Sequence, residues 1–94
     1  MDSLFDLMFG IMNNDYSKAD KAGHDTVGDY TIDTCDTVDQ GYETAMWKGD
    51  GDIIIVERYP DKERAEAGHA KWCEFAKTNP KHVYSVQVDE HVNF

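Results

Sequence analysis

Cysteine, proline and positive charge are scarce in this chain. Its two cysteines, Cys35 and Cys73, lack the close spacing of a small secreted scaffold, which argues against a disulfide framework and for a reducing compartment. The two prolines, Pro60 and Pro80, fall where a strand pattern and a helical pattern stop. Nine basic residues, two of them Arg, face nineteen acidic ones, thirteen of them Asp, for a formal net charge of −10. Such a surface repels phosphate, so direct nucleic-acid binding and docking on anionic membranes are not expected. No apolar run is long enough to cross a bilayer, and Met1 to Met12 lacks a basic leader and carries Asp2 and Asp6, so neither a signal peptide nor an anchor is expected. There is no internal repeat and no low-complexity tract.

What is present is one α+β domain over residues 1–94, centred on Asp52 to Pro80. Ile53, Ile54, Ile55 and Val56 are four β-branched residues in a row and predict a strand over 53–59. A helix follows over 61–78. Asp61 suits its N-cap, and Ala65, Gly68, His69, Trp72, Phe75 and Ala76 recur on one face, with Lys62, Glu66, Lys71, Glu74 and Lys77 pointing away. Alternation predicts further strands over 30–38, 42–47 and 82–88. In the first of these, Tyr30, Ile32 and Thr34 share one face, and Thr31, Asp33 and Cys35 the other. The expectation is a four-stranded, mainly antiparallel sheet with the long helix on one face. Its order is either the plain sequential one or one in which the 30–38 strand inserts beside 82–88.

Two segments precede these strands. Ser3 to Met12 reads as a short apolar helix in which Leu4, Phe5, Leu7, Met8, Phe9, Ile11 and Met12 spread over two adjoining stripes. Such a surface needs cover, either from the sheet face opposite the long helix or from a partner, possible partners including a second copy of the chain. Residues 14–29 are polar, contain Gly23 and Gly28, and read as a linker with His24 exposed.

Several constellations bear on chemistry. His69 and Cys73 stack four residues apart on the helix, and Cys35 joins them as a third zinc ligand if its strand face meets the helix. No second Cys pair accompanies them, so the expectation is a packing role and no metal site. Cys35, Trp47, His69, Trp72 and Cys73 together form the candidate ligand or packing cluster. Asp33, Asp36, Glu43 and Glu57 lie on neighbouring strands, where solvent-facing polar residues are the simpler explanation. Asp50-Gly51-Asp52 lacks the ligand ladder of a calcium loop. With no nucleophile elbow, phosphate loop or dinucleotide fingerprint, no catalytic residue and no cofactor are expected, and the chain does not read as an enzyme.

Asp33-Thr34-Cys35, Tyr42-Glu43-Thr44, Ile55-Val56-Glu57-Arg58-Tyr59 and Gly68-His69-Ala70-Lys71-Trp72 follow one another in an order that resembles a group of small bacteriophage and prophage proteins of uncharacterised function. The chain departs from that group in its short Lys48 to Asp52 connection. The resemblance implies a viral accessory or virion protein, located in the virion or the host cytoplasm. Together with the composition it leads to a non-catalytic protein that acts through protein contacts, first as a virion or assembly component. The alternatives are an inhibitor or decoy that presents its acidic surface to a host protein, and a protein that sequesters a small ligand at Trp72 or Trp47.

Overall fold

A computed structural model of the protein describes residues 21–37 and 41–94. Four strands, β1 (Lys21–Val27), β2 (Tyr30–Thr37), β3 (Gly41–Lys48) and β4 (Ile54–Tyr59), form an antiparallel sheet in sequential order. Helix α1 (Lys62–Ala76) follows, and then a two-stranded hairpin of β5 (His82–Ser85) and β6 (Glu90–Asn93). The fold is α+β, with a four-stranded antiparallel sheet and one long helix. The expected helix over 3–12, with Leu4, Phe5, Leu7, Met8, Phe9, Ile11 and Met12, lies outside the described residues, as do 14–20 of the expected linker and residues 38–40.

The fourth strand of the sheet is β1, and not the 82–88 segment. Residues 21–29 are therefore not linker: Val27 pairs with Tyr30 across a two-residue turn in which Gly28 takes φ +61°. Glycine at the first central position matches the twist of the flanking strands, so Gly28-Asp29 closes a tight hairpin. The 82–88 alternation stops at Ser85, whose carbonyl accepts from Asp89 N–H and whose hydroxyl accepts from Val88 N–H. Asp89, at φ +59°, then turns the chain back, and Val83 pairs with Val92. The segment still touches β4, through Val86 N–H donating to Ile55 O at 2.9 Å, but its ladder is with β6. Neither of the two expected sheet orders, both of which placed 82–88 in the main sheet, holds.

The helix forms as its sequence predicts. Asp61 Oδ1 accepts from Arg64 N–H at 2.8 Å, and Asn79, at φ +55°, ends the element ahead of Pro80. Its expected inner face is buried or half-buried and its expected outer residues are exposed. Against the sheet it covers a core of Tyr30, Ile32, Met46, Ile54 and Val56, which Ala76 and Val83 close. Burial of each large apolar side chain here stabilises by roughly 1.5–3 kcal/mol. Val92 and Phe94 complete this side. The Phe94 ring meets Tyr30 edge to face at 5.2 Å, while Tyr30 Oη donates to Pro80 O at 2.6 Å. No helix among the described residues is long and apolar enough to cross a membrane.

Candidate functional site

Tyr30, Ile32 and Thr34 do share the helix-facing side of β2, as the alternation predicts. Pairing of Thr34 with Thr44, and of Thr44 with Glu57, brings three polar side chains into a row under α1. On its own such a row would be costly, because a buried hydroxyl without a partner loses its hydration. The row is instead threaded into one chain of hydrogen bonds. His69 reaches down from α1 so that its Nδ1 lies 2.7 Å from Thr34 Oγ1. Thr34 bonds to Thr44, Thr44 Oγ1 lies 2.9 Å from Tyr59 Oη, and Tyr59 donates to Glu57 Oε1 at 3.1 Å. Glu57 Oε1 also receives Lys71 Nζ at 2.6 Å and Trp72 Nε1 at 2.8 Å. At the other end His69 Nε2 lies 2.8 Å from Asp25 Oδ2 on β1.

Two glycines make room for the threading. A Cβ at Gly23 would collide with the His69 ring, and one at Gly68 would collide with the Tyr59 ring. At both places the backbone has to come close to a side chain, which only glycine permits.

The carboxylate end sets the direction of the chain. Glu57 can only accept, so Tyr59 donates to it and accepts from Thr44; Thr44 then accepts from Thr34, and Thr34 from His69. That order assigns a hydrogen to His69 Nδ1. Burial by itself would raise the Glu57 carboxyl. The bonds from Lys71 and Trp72, with the charge of Lys71 and the Tyr59 hydroxyl, outweigh it and hold Glu57 below its ordinary value of 4.5. The Tyr59 hydroxyl is pushed up, first by burial and then by the Glu57 charge, so it stays a donor. Asp25 is held below the ordinary carboxylate value of 3.8, chiefly by its His69 hydrogen bond.

Asp25, His69 and Cys73 meet at the mouth of this chain, with their ligand atoms within 4.8 Å of one another. Cys73 Sγ lies 3.8 Å from Asp25 Oδ2. Burial, and then the Asp25 charge, push the Cys73 thiol up. A cleft of about 390 Å³ opens over the three, with Glu66 on its wall.

The candidate cluster of Cys35, Trp47, His69, Trp72 and Cys73 divides between the two sheet faces. His69, Trp72 and Cys73 are on the α1 side. Cys35 is wholly buried on the other, where Trp47 packs with Ala45, Ile53 and Ile55, so it does not approach His69 and Cys73. The third group beside them is Asp25, from the segment read as linker. The Asp33, Asp36, Glu43 and Glu57 cluster does not form either, because Glu57 lies on the helix side and Asp33 and Glu43 on the other. Asp33 and Glu43 are also not solvent-facing: they are 0% and 3% exposed. Asp33 Oδ1 receives Lys21 Nζ at 2.6 Å and lies 2.7 Å from His24 Nδ1, and Arg58 Nε donates to Glu43 Oε2 at 2.7 Å. Burial and the Asp33 charge push the Cys35 thiol up to about 12, which leaves it without a nucleophilic thiolate.

A second concavity lies between α1 and the β5–β6 hairpin. It measures about 440 Å³ and is walled by Trp72, Phe75, Val83 and Tyr84, with Lys71, His82 and His91 as its polar groups. Trp72 and Phe75 meet edge to face at 5.3 Å, and Tyr84 stands against His91 at the same separation. Tyr84, 39% exposed, is one of two large hydrophobic side chains exposed among the described residues. The helical period places Trp72 and Phe75 on the inner face of α1, but of the hairpin that makes the second wall only the β5 alternation was legible, and not its return through β6.

The four motifs quoted for the phage-protein resemblance supply nearly the whole hydrogen-bonded chain: Thr34, Thr44, Glu57 with Tyr59, and Gly68, His69, Lys71 and Trp72. No protein-family model, no curated protein and no solved structure matches this chain.

Proposed function

We propose that the protein works by binding a protein partner and not by catalysis, and that the groove between α1 and the β5–β6 hairpin is where it binds. The observation that carries this reading is the groove's composition. On a chain of net charge −10 its polar groups are an ammonium and two imidazoles, around an aromatic floor. The matching partner feature is an aromatic or large aliphatic side chain with a carboxylate beside it. The hydroxyls supply no competing nucleophile. Thr34 and Thr44 are wholly buried, and their hydrogens are spent inside the chain that ends at Glu57. In keeping with the phage-protein resemblance, the partner is a subunit of a virion or of its assembly.

Selection of a random displayed-peptide library on the purified full-length protein tests the reading. The expected winners carry an apolar anchor next to Asp or Glu and lose binding to Tyr84→Ser. Winners rich in Lys and Arg, sensitive to salt and indifferent to Tyr84→Ser, would overturn it and move the contact surface to the acidic face.

A further inference from the structure

We propose that Asp25, His69 and Cys73 form a zinc-class metal site that clips the edge strand β1 to α1. Three separate observations meet here.

The first is the donor set. An imidazole nitrogen, a thiol sulfur and a carboxylate oxygen from two elements converge within 4.8 Å. A borderline-soft divalent ion with tetrahedral preference takes this mixture, whereas calcium and magnesium want oxygen alone.

The second is the orientation of His69. A metal-binding imidazole uses one nitrogen for the ion and gives the hydrogen on the other to a fixed acceptor. Here the direction set by Glu57 assigns the hydrogen to Nδ1, which gives it to Thr34, and turns Nε2 to Asp25 and the cleft. Gly23 makes room for the ring beside β1. The buried chain thus does for His69 what a supporting carboxylate or carbonyl does in other metal sites.

The third is reach. Tetrahedral zinc with bonds of about 2.0–2.3 Å separates its nitrogen and oxygen ligands by roughly 3.3 Å and either from sulfur by roughly 3.5 Å. Asp25 Oδ2 stands 2.8 Å from His69 Nε2 and 3.8 Å from Cys73 Sγ. A movement of roughly half an ångström by Asp25 meets both of these separations, and the third, His69 Nε2 to Cys73 Sγ, which lies within 4.8 Å, closes by rotation of the half-buried Cys73 side chain. Its side chain is 58% exposed and free to make that movement, while His69 is held. Glu66, one turn before His69 on the same cleft, or a water completes the fourth position. On binding, the Cys73 thiol proton and the hydrogen that His69 Nε2 gives to Asp25 pass to solvent, and the ion takes the thiolate and the freed nitrogen.

Untagged full-length protein titrated with Co²⁺, and then with Zn²⁺ in competition, tests the site. The expected result is one Co²⁺ per chain, with a sulfur-to-metal charge-transfer band and intense tetrahedral visible bands that Zn²⁺ erases. Cys73→Ser abolishes the charge-transfer band, whereas Cys35→Ser and His91→Ala keep it. Thr34→Val weakens binding about 10- to 100-fold, as loss of a supporting partner does. Zn²⁺ raises the thermal midpoint of the wild type and not of Cys73→Ser. An octahedral spectrum without the sulfur band, or a band that survives Cys73→Ser, would overturn the assignment. Cys73→Ser and Asp25→Asn act at partly exposed side chains, and circular dichroism checks that each variant is folded.

Discussion

The two faces of the sheet keep their buried polar groups in different ways. Under α1, Thr34, Thr44, Tyr59 and His69 are joined in a line of hydrogen bonds that ends at a carboxylate on each side, Glu57 and Asp25. On the opposite face, Asp33 and Glu43 are each met directly by a cation from a neighbouring strand, Lys21 in one case, with the His24 imidazole beside it, and Arg58 in the other. A chain of hydroxyls costs little to bury once every link is made, but it depends on every link. An ion pair costs more to bury and depends on one partner. The first arrangement orients a side chain, His69, toward a cleft; the second holds strands together.

The contrast can be broken most strongly at Glu43. Arg58→Met leaves a carboxylate that is 3% exposed without its guanidinium and should destabilise by about 3 kcal/mol, measured by urea unfolding. Glu43→Gln should cost less, because no charge is stranded. On the α1 face, Thr44→Val should cost about 2 kcal/mol by leaving Thr34 and Tyr59 without a link, and Thr34→Val about the same. Their double variant should cost clearly less than the sum, since it removes both ends of one bond; strict additivity would mean that the hydroxyls do not act as a chain. Gly68→Ala should cost about 1–3 kcal/mol despite the better helix propensity of alanine, because the methyl meets the Tyr59 ring.

The pH dependence sharpens the comparison with a smaller effect. Glu57 is held below its ordinary value of 4.5, so the folded state favours its ionised form. That contribution is present above 4.5 and is lost as the pH falls through the depressed folded value. The acid limb of stability should therefore flatten in Glu57→Gln. The smallest effect is a labelling difference: a thiol reagent should modify half-buried Cys73 slowly in the folded protein and reach Cys35 only after unfolding.

The elements with a marked residue pattern of their own were legible. β2, β3 and α1 show their period and β4 its run of β-branched residues, Asp61 caps as expected, and the inner face of α1 is the predicted one. β1 was not legible, because Lys21, Gly23, His24 and Asp25 show no alternation of apolar and polar residues and the strand sits at an edge. Its one signal was the Gly28-Asp29 turn between Val27 and Tyr30. The 82–88 alternation was real but continued past the strand end, because Val86 and Val88 keep the period while the turn is made by Ser85 and Asp89.

For the site, the pattern put Thr34 on the face it occupies and His69 and Cys73 on one side of a helix, since periods of 2 and 3.6 are local properties of the backbone. Which residues meet across elements is a matter of register and approach. Pairing of Gly23 with Thr34 and of Thr34 with Thr44, and the bulge between Thr44 and Ala45, decided that Asp25, His69, Thr34, Thr44, Tyr59 and Glu57 join in one line. Sequence by itself determined the strands and helix with a clear period, the acidic surface and the faces of β2 and α1. Only the tertiary structure decided that a supposed linker supplies Asp25 to His69, that Cys35 faces away from both, and that a C-terminal hairpin walls the aromatic groove, because each rests on pairing between segments that carry no signal of one another.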